Sequence, residues 1–143
     1  METEVIIDTD VIIDYLKRRP EPIARQIFRA VKAGKITAHM TSITVFELSR
    51  GARLSPQPEK SMKAVKILQD FIKVLPFDAE TAETAAEICV YLEEKGKPLE
   101  IRDLFIAASA KTLDLTLTTR NIAHFNRIPD VKVTTPKDLL KQL

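Results

Sequence analysis

Asp8, Asp10 and Asp14 crowd a short stretch near the start of the chain, Val5-Ile6-Ile7-Asp8-Thr9-Asp10-Val11-Ile12-Ile13-Asp14-Tyr15-Leu16. Clustered carboxylates repel one another at neutral pH unless a cation or a raised pKa relieves them. Hard oxygen donors of this kind suit Mg²⁺ or Mn²⁺. Glu47, in Ser42-Ile43-Thr44-Val45-Phe46-Glu47-Leu48-Ser49-Arg50-Gly51, is a second candidate. On a helical wheel Ile43, Glu47, Arg50 and Leu54 share a face within roughly 60°, so the acid lies on a stripe expected to pack inward. A buried charge needs a partner, which is either Arg50 one turn away or a metal. Asp103 is the third, in Ile101-Arg102-Asp103-Leu104-Phe105-Ile106-Ala107-Ala108-Ser109-Ala110, a helix apolar nearly all round. An acid there also gains from the helix macrodipole, by about 0.3–1 kcal/mol. The small residues Ala107, Ser109 and Ala110 predict that this helix packs tightly on a sheet. Thr118-Thr119-Arg120-Asn121 supplies hydroxyls and an amide that can orient water or a carboxylate, although such residues are also ordinary in loops.

These residues need elements to position them. Val5, Ile6 and Ile7 read as a strand buried on both faces, stopping at Asp8. Asp10 is the expected N-cap of a helix over 11–18, with Asp14 one turn on. If strand geometry persists, Asp8 and Asp10 point the same way. In a purely structural reading Asp10 caps, Asp14 is solvated and Asp8 is incidental. Pro20 and Pro22 break the chain before a helix over 23–32, which Gly34 ends at C′. A strand over 36–40 follows, then a helix capped by Ser42 and running to about residue 54. Pro56 and Pro58 mark a loop before a basic amphipathic helix reaching about residue 72. A strand over 74–77 precedes a long helix capped by Asp78 and ending near Gly96. A helix over 100–113, a strand over 115–118, one turn over 121–125 and a strand over 131–134 come next. Thr135-Pro136-Lys137-Asp138 opens a terminal helix with an N-cap, Pro at N1 and an acid at N3. Alternating strands and helices imply a mostly parallel sheet covered on both faces, with ligands bound outside its carboxyl ends.

Composition excludes several classes. The 143 residues fit one domain over 1–143, and 45% hydrophobic with 29% charged residues is an ordinary globular balance. A net charge of +2 permits contact with a polyanion without indicating it. Cys89 is the only cysteine, which rules out an intrachain disulfide framework; its place in Ile88-Cys89-Val90 predicts a buried, inert thiol. His39 and His124 are too few and too far apart to suggest zinc. None of the three glycines belongs to a phosphate loop. No apolar run approaches a membrane span, and Met1-Glu2-Thr3-Glu4 is acidic where a signal peptide would be basic, so a cytoplasmic location is expected.

Taken together, Ile7-Asp8-Thr9-Asp10-Val11-Ile12-Ile13-Asp14, Thr44-Val45-Phe46-Glu47-Leu48, Ile101–Ala110 and Leu117-Thr118-Thr119-Arg120-Asn121, with Phe125 after them, resemble the PIN-domain ribonucleases, in particular VapC-type toxins of toxin–antitoxin pairs. The order, spacing and length fit across essentially the whole chain. The resemblance implies a three-layer α/β/α sandwich around a mostly parallel sheet of about four or five short strands. It also implies Mg²⁺- or Mn²⁺-dependent endoribonuclease activity with a metal-activated water, and inhibition by a cognate VapB-type antitoxin. By position, Asp8, Glu47 and Asp103 match the family's metal-binding acids. Asp10 stands where Asn is usual, supporting the first acid, with Thr9, Thr118 and Thr119 as further supporting residues. Many members carry a fourth acid near the position of Asn121 or His124. Asn121 can hold a water but supplies no charge, which leaves a second metal site in doubt. Arg50, Arg102 and Arg120 lie close to the motifs and are candidates for RNA phosphates. A homodimer is expected from the resemblance and from the apolar surplus over residues 65–75.

Two rival readings remain. Val5-Ile6-Ile7-Asp8-Thr9-Asp10-Val11 also resembles the first motif of haloacid-dehalogenase phosphatases, with Asp8 as nucleophile and Asp10 as general acid, but the later paired acids of that family are missing. A catalytically degenerate PIN-like module, binding only RNA or a protein, is the other, motivated by the missing fourth acid.

Overall fold

Val5 and Ile7 pack on one face of the sheet and Ile6 on the other, which is why three consecutive β-branched residues make its central strand. The computed structural model describes residues 3–143; Met1 and Glu2, half of the acidic opening, lie outside them. In order the chain forms β1 (Thr3–Ile7), α1 (Thr9–Leu16), α2 (Pro22–Lys32), β2 (Ile36–Thr41), α3 (Ser42–Arg53), α4 (Pro58–Leu68) and β3 (Lys73–Leu75). It continues with α5 (Ala79–Glu94), α6 (Ile101–Leu113), β4 (Thr116–Thr118), α7 (Ile122–Phe125), β5 (Val133–Thr134) and α8 (Pro136–Lys141). The five strands pair in the order β3-β2-β1-β4-β5, all parallel. The apolar residues of α1, α2, α4 and α8 cover one face, and those of α5, α6 and Phe125 of α7 cover the other. This is the expected three-layer sandwich.

The order has a physical consequence. The chain leaves β1 toward β2 and β3, then returns to place β4 on the other side of β1. That reversal makes a topological switch point at the carboxyl ends of β1 and β4, where the connections diverge and leave an opening.

Several local expectations change. Asp8, not Asp10, is the N-cap of α1: its backbone is extended (φ −69°, ψ 155°), and Oδ1 accepts the Thr9 amide at 2.8 Å. The helix therefore starts two residues early, and strand geometry does not reach Asp10. Asp14 is buried rather than solvated. Thr41, not Ser42, caps α3 by accepting the Thr44 amide at 3.1 Å. Helix α4 ends at Leu68; the apolar spacing runs on because Phe71 and Ile72 pack on the same core from a turn. Val65, Leu68 and Ile72 belong to that core, whereas Ile67 is 49% and Val74 37% exposed, so the apolar surplus over residues 65–75 is shared between core and surface. Cys89 is half-buried, because the buried stripe of α5 runs through Ala85, Ile88 and Leu92 beside it. Its thiol donates to Glu93 Oε1 at 3.0 Å, and that contact pushes its pKa up, which keeps it inert for a different reason than burial. Gly34 does end α2, at φ 78°. Among the described residues no helix is long and apolar enough to cross a membrane.

Candidate active site

Two hydrogen bonds carry the sheet pairing past the strand ends, Asp8 N, just after β1, to Thr118 O of β4 at 2.9 Å and Thr119 N, just after β4, to Thr134 O of β5 at 3.0 Å. This register brings Thr119 over the end of β1, where its hydroxyl donates to Asp8 Oδ2 at 2.7 Å. With Oδ1 on the Thr9 amide, both carboxylate oxygens of Asp8 meet neutral donors only. Asp8 is 5% exposed. Burial, then the charge of Asp10, with Asp103 adding to it, pushes the Asp8 pKa up to about 6, against the two hydrogen bonds.

Glu47 is held by a relay of hydroxyls that leads back to the same place. Thr9 Oγ1 donates to Glu47 Oε1 at 2.8 Å and lies 2.9 Å from Thr44 Oγ1, which accepts from Thr41 at 3.3 Å. Since the single Thr9 proton goes to Glu47, the Thr44 hydroxyl donates to Thr9. Thr41 and Thr44, absent from the sequence-derived candidates, are legible only as a hydroxyl-rich helix start; their link to Thr9 is tertiary. The other Glu47 oxygen meets Arg102 Nη1 at 3.1 Å. The partner expected from helical spacing, Arg50, is exposed and forms no ion pair among the described residues. The buried stripe of α3 passes through Thr44, Leu48 and Ala52, and Leu54 is 69% exposed, so the stripe drawn through large apolar residues was rotated. Arg50 instead lines a shallow groove with Phe46, Ser49, Arg53 and Leu54.

Asp103 sits in the first turn of α6. Partial burial raises its pKa, while His124 and Arg102 hold it down. His124 Nδ1 is 3.7 Å from Asp103 Oδ2, close enough for charge but longer than a hydrogen bond. Asp8, Glu47 and Asp103 are thus brought to one end of the sheet from β1, α3 and α6.

A second acidic layer lies behind. Arg120 Nε is 3.0 Å from Asp14 Oδ2 and 3.8 Å from Asp10 Oδ2, and the Arg120 amide donates to Asp10 Oδ2 at 3.2 Å. Lys17 also meets Asp14, at 3.1 Å. Arg120 and Arg102 each pair with carboxylates within the chain, while their side chains stay 57% and 56% exposed. Burial raises the Asp10 pKa, and its Oδ1 is buried with no hydrogen-bond partner. Thr118 is wholly buried with its hydroxyl unpartnered, so it acts by packing. Asn121 is exposed and joins the network through its backbone amide, which donates to Thr119 Oγ1 at 3.0 Å.

The donors fit a hard divalent cation in type: all are oxygens, Asp8 is burdened by burial and by the charges of Asp10 and Asp103, Asp103 by burial and by Glu100, and Asp10 Oδ1 lacks a donor. In spacing they do not form a closed cage, since among the described residues no three His, Cys, Asp or Glu side chains gather to hold one ion.

A parallel sheet in this order, with acids converging on its switch point, defines a class of hydrolase fold, and comparison with known proteins places the chain within it. The PIN-domain model matches residues 5–131. Ribonuclease VapC1 of Haemophilus influenzae strain R2866 is 31% identical over 127 residues, covering 89% of this chain and 93% of that protein. The tRNA(fMet)-specific endonuclease VapC of Salmonella typhimurium strain LT2 is 31% identical over 128 residues, covering 90% and 94%. A crystal structure of DNA-bound VapBC from Salmonella typhimurium superposes with a TM-score of 0.82 at 29% identity, covering 95% of this chain and 99% of that one. The chain belongs to the PIN-domain family, among its VapC-type ribonucleases. The phosphatase reading finds no support in these relatives, and Asp10, its general acid, is tied to Arg120 instead.

Proposed function

We propose that this chain is the toxin of a toxin–antitoxin pair and an endoribonuclease that hydrolyses single-stranded RNA with Mg²⁺ or Mn²⁺ held by Asp8, Glu47 and Asp103. The observation that supports it most is Asp8: an acid 5% exposed, beside Asp10 and Asp103, whose carboxyl is raised to about 6 by burial and by the charges of those two neighbours. When bound, the ion supplies Lewis acidity to water and to phosphate oxygens. The chain's own groups do the rest. Thr119 and the Thr9 amide fix the plane of the Asp8 carboxylate, and the relay from Thr41 through Thr44 and Thr9 fixes Glu47. Such supporting contacts hold a ligand set within the tolerance that catalysis needs. Arg102, 56% exposed, and Arg50 stand at the rim for RNA phosphates.

Products follow from the nucleophile. Water attack expels the 3′-oxygen and leaves 5′-phosphate and 3′-hydroxyl ends. Attack by the RNA 2′-hydroxyl would need an acid–base pair such as two histidines, but His39 is bound to Glu4 at 2.7 Å and His124 faces Asp103. Cleavage of labelled RNA with Mg²⁺, Mn²⁺ or EDTA, followed by end-group analysis, tests this. Full activity in EDTA, or 2′,3′-cyclic phosphates, would show the reading to be wrong. RNA binding without cleavage, unchanged by Asp8→Asn, would identify a non-catalytic module instead.

Several solved relatives are VapBC complexes, which supports a VapB-type antitoxin as partner, and the expected place of action is the cytoplasm. A homodimer, the state expected from the family, is checked by sedimentation at micromolar concentration; a 16.1 kDa species alone would exclude it.

A further inference from the structure

Glu47 already has a cation. Arg102 Nη1 lies 3.1 Å from Glu47 Oε2, and Nη2 of the same guanidinium lies 3.0 Å from Glu100 Oε2. Thr9 takes the remaining Glu47 oxygen. Both oxygens of this acid are therefore engaged, one by a hydroxyl and one by a full positive charge. Asp8 meets neutral donors only, and Asp103 faces the His124 imidazole at 3.7 Å. Glu100 stands at the N-cap position of α6 yet makes no side-chain cap hydrogen bond; its carboxylate goes to Arg102.

Building on the metal reading of Asp8, Glu47 and Asp103 above, we propose that Arg102 is a displaceable internal counter-ion that competes with the divalent cation for Glu47 Oε2. Three observations carry this. The guanidinium occupies the oxygen a metal would take, and an arginine cannot relieve the conflict by losing its proton. It is loosely held, because its side chain is 56% exposed and exposed ion pairs are weak. It also has somewhere to go: Glu100, 69% exposed, keeps the other end of the fork. On release from Glu47 the planar fork stays tethered beside the site, where its donors match a phosphate. The site thus binds its ion less tightly than its acids alone would allow.

The test is calorimetric titration of Mn²⁺ into the metal-stripped full chain, with no RNA present. Wild type is compared with Asp8→Asn, Arg102→Gln, Arg102→Lys and Arg53→Gln. Arg53 is an exposed residue of α3 that forms no ion pair with Glu47, so its variant measures the effect of lost charge alone. Arg102→Gln is expected to lower the Mn²⁺ Kd by about five- to tenfold, Arg53→Gln by less than about twofold, and Arg102→Lys by an intermediate factor. An unchanged or raised Kd in Arg102→Gln, or an equal gain in Arg53→Gln, overturns the proposal. Mn²⁺ binding that is lost in Asp8→Asn but indifferent to Arg102→Gln defeats the role of Arg102 alone. Binding that persists in Asp8→Asn, or no binding by any variant, defeats the metal reading and this proposal with it.

Discussion

Asp8 and Glu47 are both acids at the carboxyl end of the sheet, yet the chain holds them in different ways. Asp8 ends the central strand, is 5% exposed, and meets a hydroxyl and an amide, with Asp10 and Asp103 near enough to repel it. Glu47 lies on a helix, its side chain 19% exposed, and meets a hydroxyl and a guanidinium. The first is fixed in place and short of positive charge; the second is balanced but movable at its balancing partner. Asp103 falls between them, half-buried and watched by an imidazole at 3.7 Å. On the proposed metal reading, the difference sets where an incoming cation would gain most: at Asp8, which no internal cation neutralises, with Glu47 joining as Arg102 yields.

The largest effect should come from removing charge on the inner side. Asp8→Asn and Asp103→Asn are each expected to lower RNA cleavage by about 10²–10³-fold in saturating Mg²⁺, measured as kcat on a labelled substrate. An equal loss from Glu47→Gln would erase the contrast between the inner and outer acids; a smaller one would sharpen it.

Stability should respond in the opposite direction. The raised Asp8 pKa means that the folded state binds a proton more readily than the unfolded one, so stability falls as pH rises from about 4 to about 6 and stays reduced above that. Asp8→Asn removes that penalty. In EDTA at pH 8 it should be more stable than wild type by about 1–3 kcal/mol, with the advantage gone by pH 4. Urea melts at the two pH values check this, and a variant less stable at pH 8 would show that the hydrogen bonds to Asp8 outweigh its burial.

Thr119→Val leaves the acids untouched but removes the hydroxyl on Asp8 Oδ2. Loss of such a supporting contact is expected to cost about 10–100-fold in Mn²⁺ affinity or activity. Thr118→Val, whose hydroxyl has no partner, should change little by the same assay. The smallest effects belong to the outer rim. His124→Ala should cost less than about tenfold in activity, since its contact with Asp103 is long and exposed. Asn121→Asp should keep or raise activity, because it adds a negative charge beside Thr119, the residue that holds Asp8.

The order of elements, the buried central strand and the acids Asp8, Glu47 and Asp103 were legible along the chain because each shows in local chemistry. Three β-branched residues in a row, proline and glycine punctuation, and a carboxylate beside an apolar stripe are short-range patterns. Helix ends were less so: Asp8 and Asp10 both qualify as caps of α1, and only the backbone turn at Asp8 chose between them. The partners were not legible. Spacing pairs Glu47 with Arg50 one turn away, whereas the fold pairs it with Arg102, fifty-five residues on. Arg120 reads as a surface cation, whereas the return of β4 beside β1 drops it onto Asp10 and Asp14. Sequence by itself determined which groups carry charge and which elements carry them. Tertiary structure decided which charges face which, because that depends on strand order in the sheet, and a strand order that reverses at β1 brings together residues more than a hundred positions apart.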